Sequence, residues 1–257
     1  MTTPVDEALR QRCVEAVVEE GERVGILAQQ LEAGLTAATD RLDTTVPWVP
    51  GWTARDLVGH LGTVHRWATA ILRAGRTDPP LREAMQTPPP NDLIDWYGTG
   101  LAELVTALRT TPPDAPAWHM SPTAEKTARS WARRQAHELA VHRMDLEAAA
   151  GTGHAPLDPA LAEDGVDELL TVVVPRWAHT APLSTADAVV TVTATDTGRR
   201  WTVRVDRGHV TVTAHPPSGA DAHLAGDTTQ LLLRLWGRPA AVTVEGDPAS
   251  EALLRGR

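Results

Sequence analysis

The residues of this sequence best placed to do chemistry are His60, Glu138, His142 and Asp145. Glu138 and His142 are four positions apart, which on an α-helix separates them by about 40° and leaves both on one face. Asp145 falls about 20° to the other side of Glu138, and Trp131 and Ala149 share the same stripe. Two carboxylates and an imidazole on an inward-facing stripe are costly to bury unless something compensates them. A metal ion does so by binding the donors together. His60 lies on a second stripe, with Leu57, Val64, Trp67 and Ile71, whose three- and four-residue spacing makes one apolar helix face. An imidazole on one helix meeting a Glu/His pair on another is a common way for helical bundles to build metal sites. Two histidines, a glutamate and one open position are the usual make-up of a catalytic zinc site. Either half of the pattern alone equally describes a hydrogen-bonded core histidine or a surface i,i+4 pair. Their coincidence on two inward stripes points to a metal.

A look-alike has to be set aside. His137-Glu138-Leu-Ala-Val-His142 resembles the H-E-x-x-H protease signature but contains one residue too many. On a regular helix His137 and His142 stand about 140° apart and do not share an ion. His137 is therefore expected behind the site or on the surface. By the same phase argument His65, about 140° from His60, faces solvent or a neighbouring helix. His119, His154, His179, His209, His215 and His223 fall in loops or strands without ligand-like spacing and read as structural or exposed. Cys13 sits on an apolar helical stripe and reads as core. Trp67 and Trp131 are candidates for walls of a metal cavity. No Gly-rich phosphate loop and no Gly-x-Ser-x-Gly elbow occurs.

The elements that must position these residues are legible as a run of helices followed by strands. Apolar positions at helical spacing occupy residues 6–40, and Pro47, Pro50 and Gly51 then turn the chain. Thr53 with Asp56 forms a capping-box-like start to a second helix that runs to about Arg73 and stops near Gly75. A third helix is predicted over Asp92–Arg109 and a fourth over Thr123–Ala150, closed by Gly151 and Gly153. Leu161–Val173 is predicted helical. Ala188–Thr195, Arg200–Val205 and Val210–Ala214 alternate β-branched with polar residues, as half-buried strands do, and Asp206-Arg-Gly-His209 suits a hairpin. A helix over Thr228–Trp236, a short strand at Val242–Val244 and a closing helix at Pro248–Leu254 complete the reading. The predicted fold is thus α+β: a four-helix bundle over residues 1–155 and a small α+β domain over 156–257.

Composition excludes several classes of function. A formal net charge of -9 lacks the basic face that nucleic acid or an anionic membrane would require. No run approaches the roughly 18 to 20 apolar residues of a membrane span, and the N-terminus has no secretory pattern. A single cysteine leaves no internal disulfide framework and no multi-cysteine zinc site. The expected location is cytoplasmic. Lys126 is the sole lysine among 24 basic residues, and phenylalanine is absent while tryptophan occurs nine times, which suggests GC-rich coding DNA.

The stretch Trp52-Thr-Ala-Arg-Asp-Leu-Val-Gly-His60-Leu-Gly and the stretch Ala136-His-Glu138-Leu-Ala-Val-His142-Arg-Met-Asp145 resemble the mycothiol-dependent maleylpyruvate isomerase family of the DinB-like superfamily. Leu231-Leu-Leu-Arg-Leu-Trp236-Gly-Arg238-Pro, then Val244-Glu-Gly-Asp247, resembles that family's C-terminal domain, so the likeness spans nearly the whole chain. It implies a DinB-like bundle in which His60, Glu138 and His142 bind a divalent metal, usually zinc. Asp145 would orient a ligand or handle a proton, and Arg238 would contact a substrate carboxylate. The implied thiol cosubstrate is mycothiol, the sugar thiol of actinobacteria, which fits the GC-rich residue usage.

The chemistry implied is that of a metal-held thiolate, since coordination deprotonates a thiol outright. Reversible addition to an activated alkene gives cis-trans isomerisation; displacement or permanent addition gives S-transfer. Both act on a small electrophilic, acidic substrate. Two alternatives come from other classes. One is a non-catalytic metal- or ligand-binding module; the other is a hydrolase in which water fills the open position.

Overall fold

The computed structural model describes residues 4–36, 38–39, 41–80, 85–89, 91–178 and 183–255. The chain divides into two compact units, one of residues 1–119 and 125–156, the other of 120–124 and 157–257.

The first unit is built on four long helices: α1 (Pro4–Ala33), α2 (Ala54–Ala74), α3 (Leu93–Thr110) and α4 (Ala128–Ala150). Helix α1 stops short of the predicted end at residue 40. Gly34 takes the left-handed conformation (φ 72°), Gly34 N–H donates to Leu31 O and Leu35 N–H to Gln30 O, the paired bonds of a Schellman stop. Helix α2 begins at a complete capping box. Asp56 N–H donates to Thr53 Oγ1 and Thr53 N–H donates to Asp56 Oδ2, so two end groups that a helix leaves unpaired are satisfied. Helix α4 ends on Gly151 (φ 69°) by the same device as α1. Its start is five residues later than predicted. Residues 120–124 instead belong to the second unit, where Ser121 Oγ donates to Val172 O at 2.7 Å and Thr123 Oγ1 to Thr171 O at 2.8 Å.

Packing follows the apolar stripes. Leu57 and Leu61 of α2, Leu104 and Leu108 of α3, and Trp131, Leu139 and Met144 of α4 are all closed to solvent. Helices α2 and α4 run antiparallel: Trp67 meets Trp131 with ring centroids 5.3 Å apart, and seven residues along each helix His60 meets Glu138. Near the other end of α4, Arg143 is fully buried and ties α4 to α1 by donating to Glu20, with Glu147 as its second carboxylate.

The second unit begins with α5 (Pro159–Glu168), which passes through a π-helical turn over Leu169–Val173 into α6 (Val174–Trp177). The predicted helix over 161–173 is present, its last five residues wound as the π-turn, and Thr171 and Val172 are the residues whose carbonyls accept from residues 120–124. Strands β1 (Asp187–Ala194), β2 (Arg200–Asp206), β3 (His209–Thr213), β4 (Ala222–Gly226) and β5 (Thr243–Gly246) form one sheet in the order β3-β2-β1-β4-β5. Only the β1/β4 pair is parallel. Arg207 and Gly208, both at positive φ, make the tight β2–β3 turn. Val190, Val192, Val203, Val205 and Leu224 are buried, as are Leu231, Leu232 and Leu235 of α7 (Thr228–Leu235). Helix α8 (Pro248–Ala252) closes the unit, its Glu251 accepting from Arg234 of α7 at 2.9 Å. Strand β4 was not predicted; Ala-His-Leu-Ala-Gly lacks the β-branched residues that mark its neighbours. Among the described residues no helix is long and apolar enough to cross a membrane.

Candidate metal centre

His60, in the second turn of α2, meets Glu138 and His142 on the facing stripe of α4. Their ligand atoms all lie within 4.8 Å of one another, the one such convergence among the described residues. His60 Nε2 is 3.0 Å and His142 Nε2 is 3.5 Å from the same oxygen, Glu138 Oε1. The other oxygen, Oε2, accepts from Arg134 at 2.8 Å. His142 is held from behind: its Nδ1 is 2.9 Å from Asp145 Oδ2, and Asp145 is fully buried. The indole of Trp52, at the entrance to α2, lies 4.9 Å from the His60 ring and stacks on His142 at 6.2 Å. The three convergent side chains are half-buried, so the centre keeps a solvent-facing side.

The electrostatics are those of a carboxylate-rich socket. Burial pushes the Glu138 carboxyl up, but hydrogen bonds from His142 and His60 and the charge of Arg134 outweigh it and hold it well below the usual range. Burial pushes His142 down, yet its bonds to Asp145 and Glu138 win and raise it to about 9. The centre thus favours positive charge between its two carboxylates, Glu138 and Asp145, and a divalent cation would supply it. The donor set fits one: two imidazoles and a carboxylate oxygen converge, and the carboxylate on Nδ1 of His142 fixes the tautomer that turns the Nε2 lone pair inward.

Of the other expected site residues, Asp145 lies against His142 and has no exposed surface. It touches a candidate ligand. Arg238 belongs to the second unit, just beyond α7, where its Nη1 donates to Trp236 O at 2.5 Å. His65 takes the second of its two expected places, against a neighbouring helix: it is fully buried with its ring 5.2 Å from Tyr97 of α3. His137 is likewise buried and has no surface position. Cys13 is buried in the core. His119 packs on Trp131, His154 on Trp48 and Glu147, and His223 on Thr191, while His179 lies outside the described residues. Trp67 and Trp131 pack on each other, and the ring seated on the two imidazoles is Trp52.

Sequence reasoning missed two neighbours of the centre, Arg134 and Trp52. Arg134 carried a usable signal, being four residues before Glu138 on the same helix. Trp52 carried none that helical phase could read, because it precedes the helix cap.

Fold and site together define a two-unit protein with a candidate mononuclear metal centre in its helical unit. Residues 24–147 match the family model described as the mycothiol maleylpyruvate isomerase N-terminal domain, and residues 160–252 match the MDMPI C-terminal domain. The chain belongs to the mycothiol-dependent maleylpyruvate isomerase family. Two solved structures are similar across 97% of this chain and 98% of theirs: a mycothiol-dependent maleylpyruvate isomerase (14% identity, TM-score 0.62) and a point mutant of that enzyme (13%, 0.63). At that identity they bear on the fold alone. A search of curated proteins finds no match.

Proposed function

We propose that the protein is a metal-dependent enzyme that uses mycothiol to isomerise, or to transfer sulfur to, a small acidic electrophile of the maleylpyruvate type. The convergence of His60, Glu138 and His142, with Asp145 fixing His142 from behind, carries this reading. These three side chains would hold one divalent cation, zinc by the match of donors. Bound there, the cation would supply an electrophile that keeps a thiol ionised near neutral pH, where a free thiol is only a few per cent thiolate.

The chain's own residues then divide the work. Asp145 accepts the Nδ1 proton of His142 and holds its ring in one orientation. Arg134 occupies Oε2 of Glu138 and leaves Oε1 turned toward the imidazoles. Trp52 packs against both imidazole rings. Arg238 would pair with a substrate carboxylate, a role its planar fork suits.

In isomerisation the mycothiol sulfur forms a bond to one alkene carbon while the π pair moves into the conjugated carbonyl. The former double bond then turns as a single bond, and loss of the same sulfur restores the alkene, so nothing is consumed. In S-transfer the carbon–sulfur bond is retained and a proton or the departure of a leaving group completes the step. A cytoplasmic location goes with this reading.

The test is an isomerase assay on maleylpyruvate with and without mycothiol, for the wild type and His60→Ala. The reading expects turnover that needs mycothiol and falls at least about a hundredfold in the variant, the loss typical of removing a group essential to charge stabilisation. Turnover without thiol, or equal rates in the variant, would contradict it.

A further inference from the structure

The solvent-facing side of the sheet in the second unit carries a pocket that the metal centre does not use. It is a cavity of about 460 Å³ lined by Thr191 and Thr193 of β1, Arg200 and Thr202 of β2 and His223 of β4, with the Pro216–Pro217 loop along one side. Strand register explains why these side chains share a face. Thr202 is opposite Thr191 and Thr191 opposite His223, while Arg200 is opposite Thr193 in the adjoining row. The intervening residues Val190, Val192, Trp201 and Val203 turn the other way into the core.

Two polar groups of this pocket, the Arg200 guanidinium and Nε2 of His223, are left to meet a ligand. Arg200 has no carboxylate or hydrogen-bond partner among the described residues, whereas its neighbour Arg199 lies 3.7 Å from Asp167. His223 Nδ1 is engaged by Thr191 Oγ1 at 2.6 Å, which leaves Nε2 for another partner. Thr202 Oγ1 donates to His215 O at 2.7 Å and so pins the loop that forms the wall. Glu245 of β5 ends the same row on the far side of His223 from Arg200, and it takes no part in the lining. A free guanidinium and an imidazole nitrogen on one cavity match the oxygens of a carboxylate or phosphate. The rigid proline wall offers an apolar flank, and the volume lies within the roughly 300–1,000 Å³ of small-molecule sites.

We propose that this pocket binds a small organic anion, its acidic group held by Arg200 and His223 and its body against Pro216 and Pro217. The site is independent of the metal and of the proposed thiol chemistry. The test is an amide NMR titration of the full chain with two probes, inorganic phosphate and succinate, for the wild type and Arg200→Gln. A saturable shift at Thr191, Thr193, Thr202 and His223 is expected with at least one probe. Arg200→Gln should keep the wild-type amide dispersion and metal content but bind at least about tenfold more weakly, as expected for losing a charged hydrogen bond. Response to phosphate alone marks a phosphorylated ligand, response to succinate alone a carboxylate, and response to both a general anion site. No saturation with either probe, or equal affinity in Arg200→Gln, would overturn the proposal.

Discussion

Asp145 Oδ2 stands 2.9 Å from His142 Nδ1, and no part of Asp145 reaches solvent. This carboxylate bears on the centre through the imidazole it orients. Asp145→Asn keeps the volume but replaces the charged acceptor with a neutral amide. Loss of such an outer partner costs about 10–100-fold in metal affinity. Competition against a chromophoric chelator should show that drop; an unchanged dissociation constant would mean that His142 needs no support.

The entrance to α2 sets the position of His60. Thr53→Ala removes the hydroxyl half of the capping box and should destabilise the protein by about 1 kcal/mol. Urea unfolding measures this directly. The cap lies outside the convergent group, so metal stoichiometry should be unchanged.

His65 is a source of acid sensitivity. Its ring is fully buried, and neither ring nitrogen has a hydrogen-bond partner among the described residues. Burial pushes its pKa down to about 3, with the Glu138 charge opposing and Arg66 and His60 assisting. Unfolding releases it to the ordinary value near 6.5. A depressed folded value means that stability is complete above about pH 6.5 and falls as pH drops toward 3, by up to about 1.4 kcal/mol per pH unit. Between pH 7 and 5, with chelator present throughout, the wild type should lose about 2 kcal/mol more than His65→Leu. Parallel losses in the two proteins would remove His65 from the account.

Arg143 makes a contrasting prediction, because here the buried charge is paired. It donates to Glu20 and to both oxygens of Glu147, at 2.7 and 2.6 Å, and to Ala155 O at 3.2 Å. Burial pushes the Glu20 carboxyl up even against the pull of Arg143. Arg143→Met would remove the buried cation that the two carboxylates share, leaving Glu20 with Arg23 and Glu147 with His154, each at 3.3 Å, and should cost about 3 kcal/mol. A shift of the denaturation midpoint worth less than about 1 kcal/mol would contradict this.

The candidate centre was legible because its geometry is helical. Phase alone puts Glu138, His142 and Asp145 on one stripe and His60 on another, and it separates His137 from His142. Phase does not say how deep a stripe sits, which is why His65 and His137 were open to a surface reading and proved to be buried. Nor does it see contacts from outside the helix, such as Trp52. The α+β fold was legible from the change of period after the fourth helix. What escaped were features decided by tertiary contact: the late start of α4, where 120–124 is drawn to the second unit, the π-turn that accepts from it, and β4, whose alanines and glycine carry no β signal. Arg238 was reached only through a motif resemblance, and its role belongs with the proposed activity.

The central claim is that His60, Glu138 and His142 form one metal site to which a thiol has access. The most direct measurement is a visible-spectrum titration of the chelator-treated protein with Co²⁺, followed by mycothiol. The account predicts an endpoint near one ion per chain, a spectrum that changes when mycothiol is added, and loss of the endpoint in His60→Ala and Glu138→Ala. An absent endpoint, identical titrations in the variants, or a cobalt spectrum indifferent to mycothiol would contradict it.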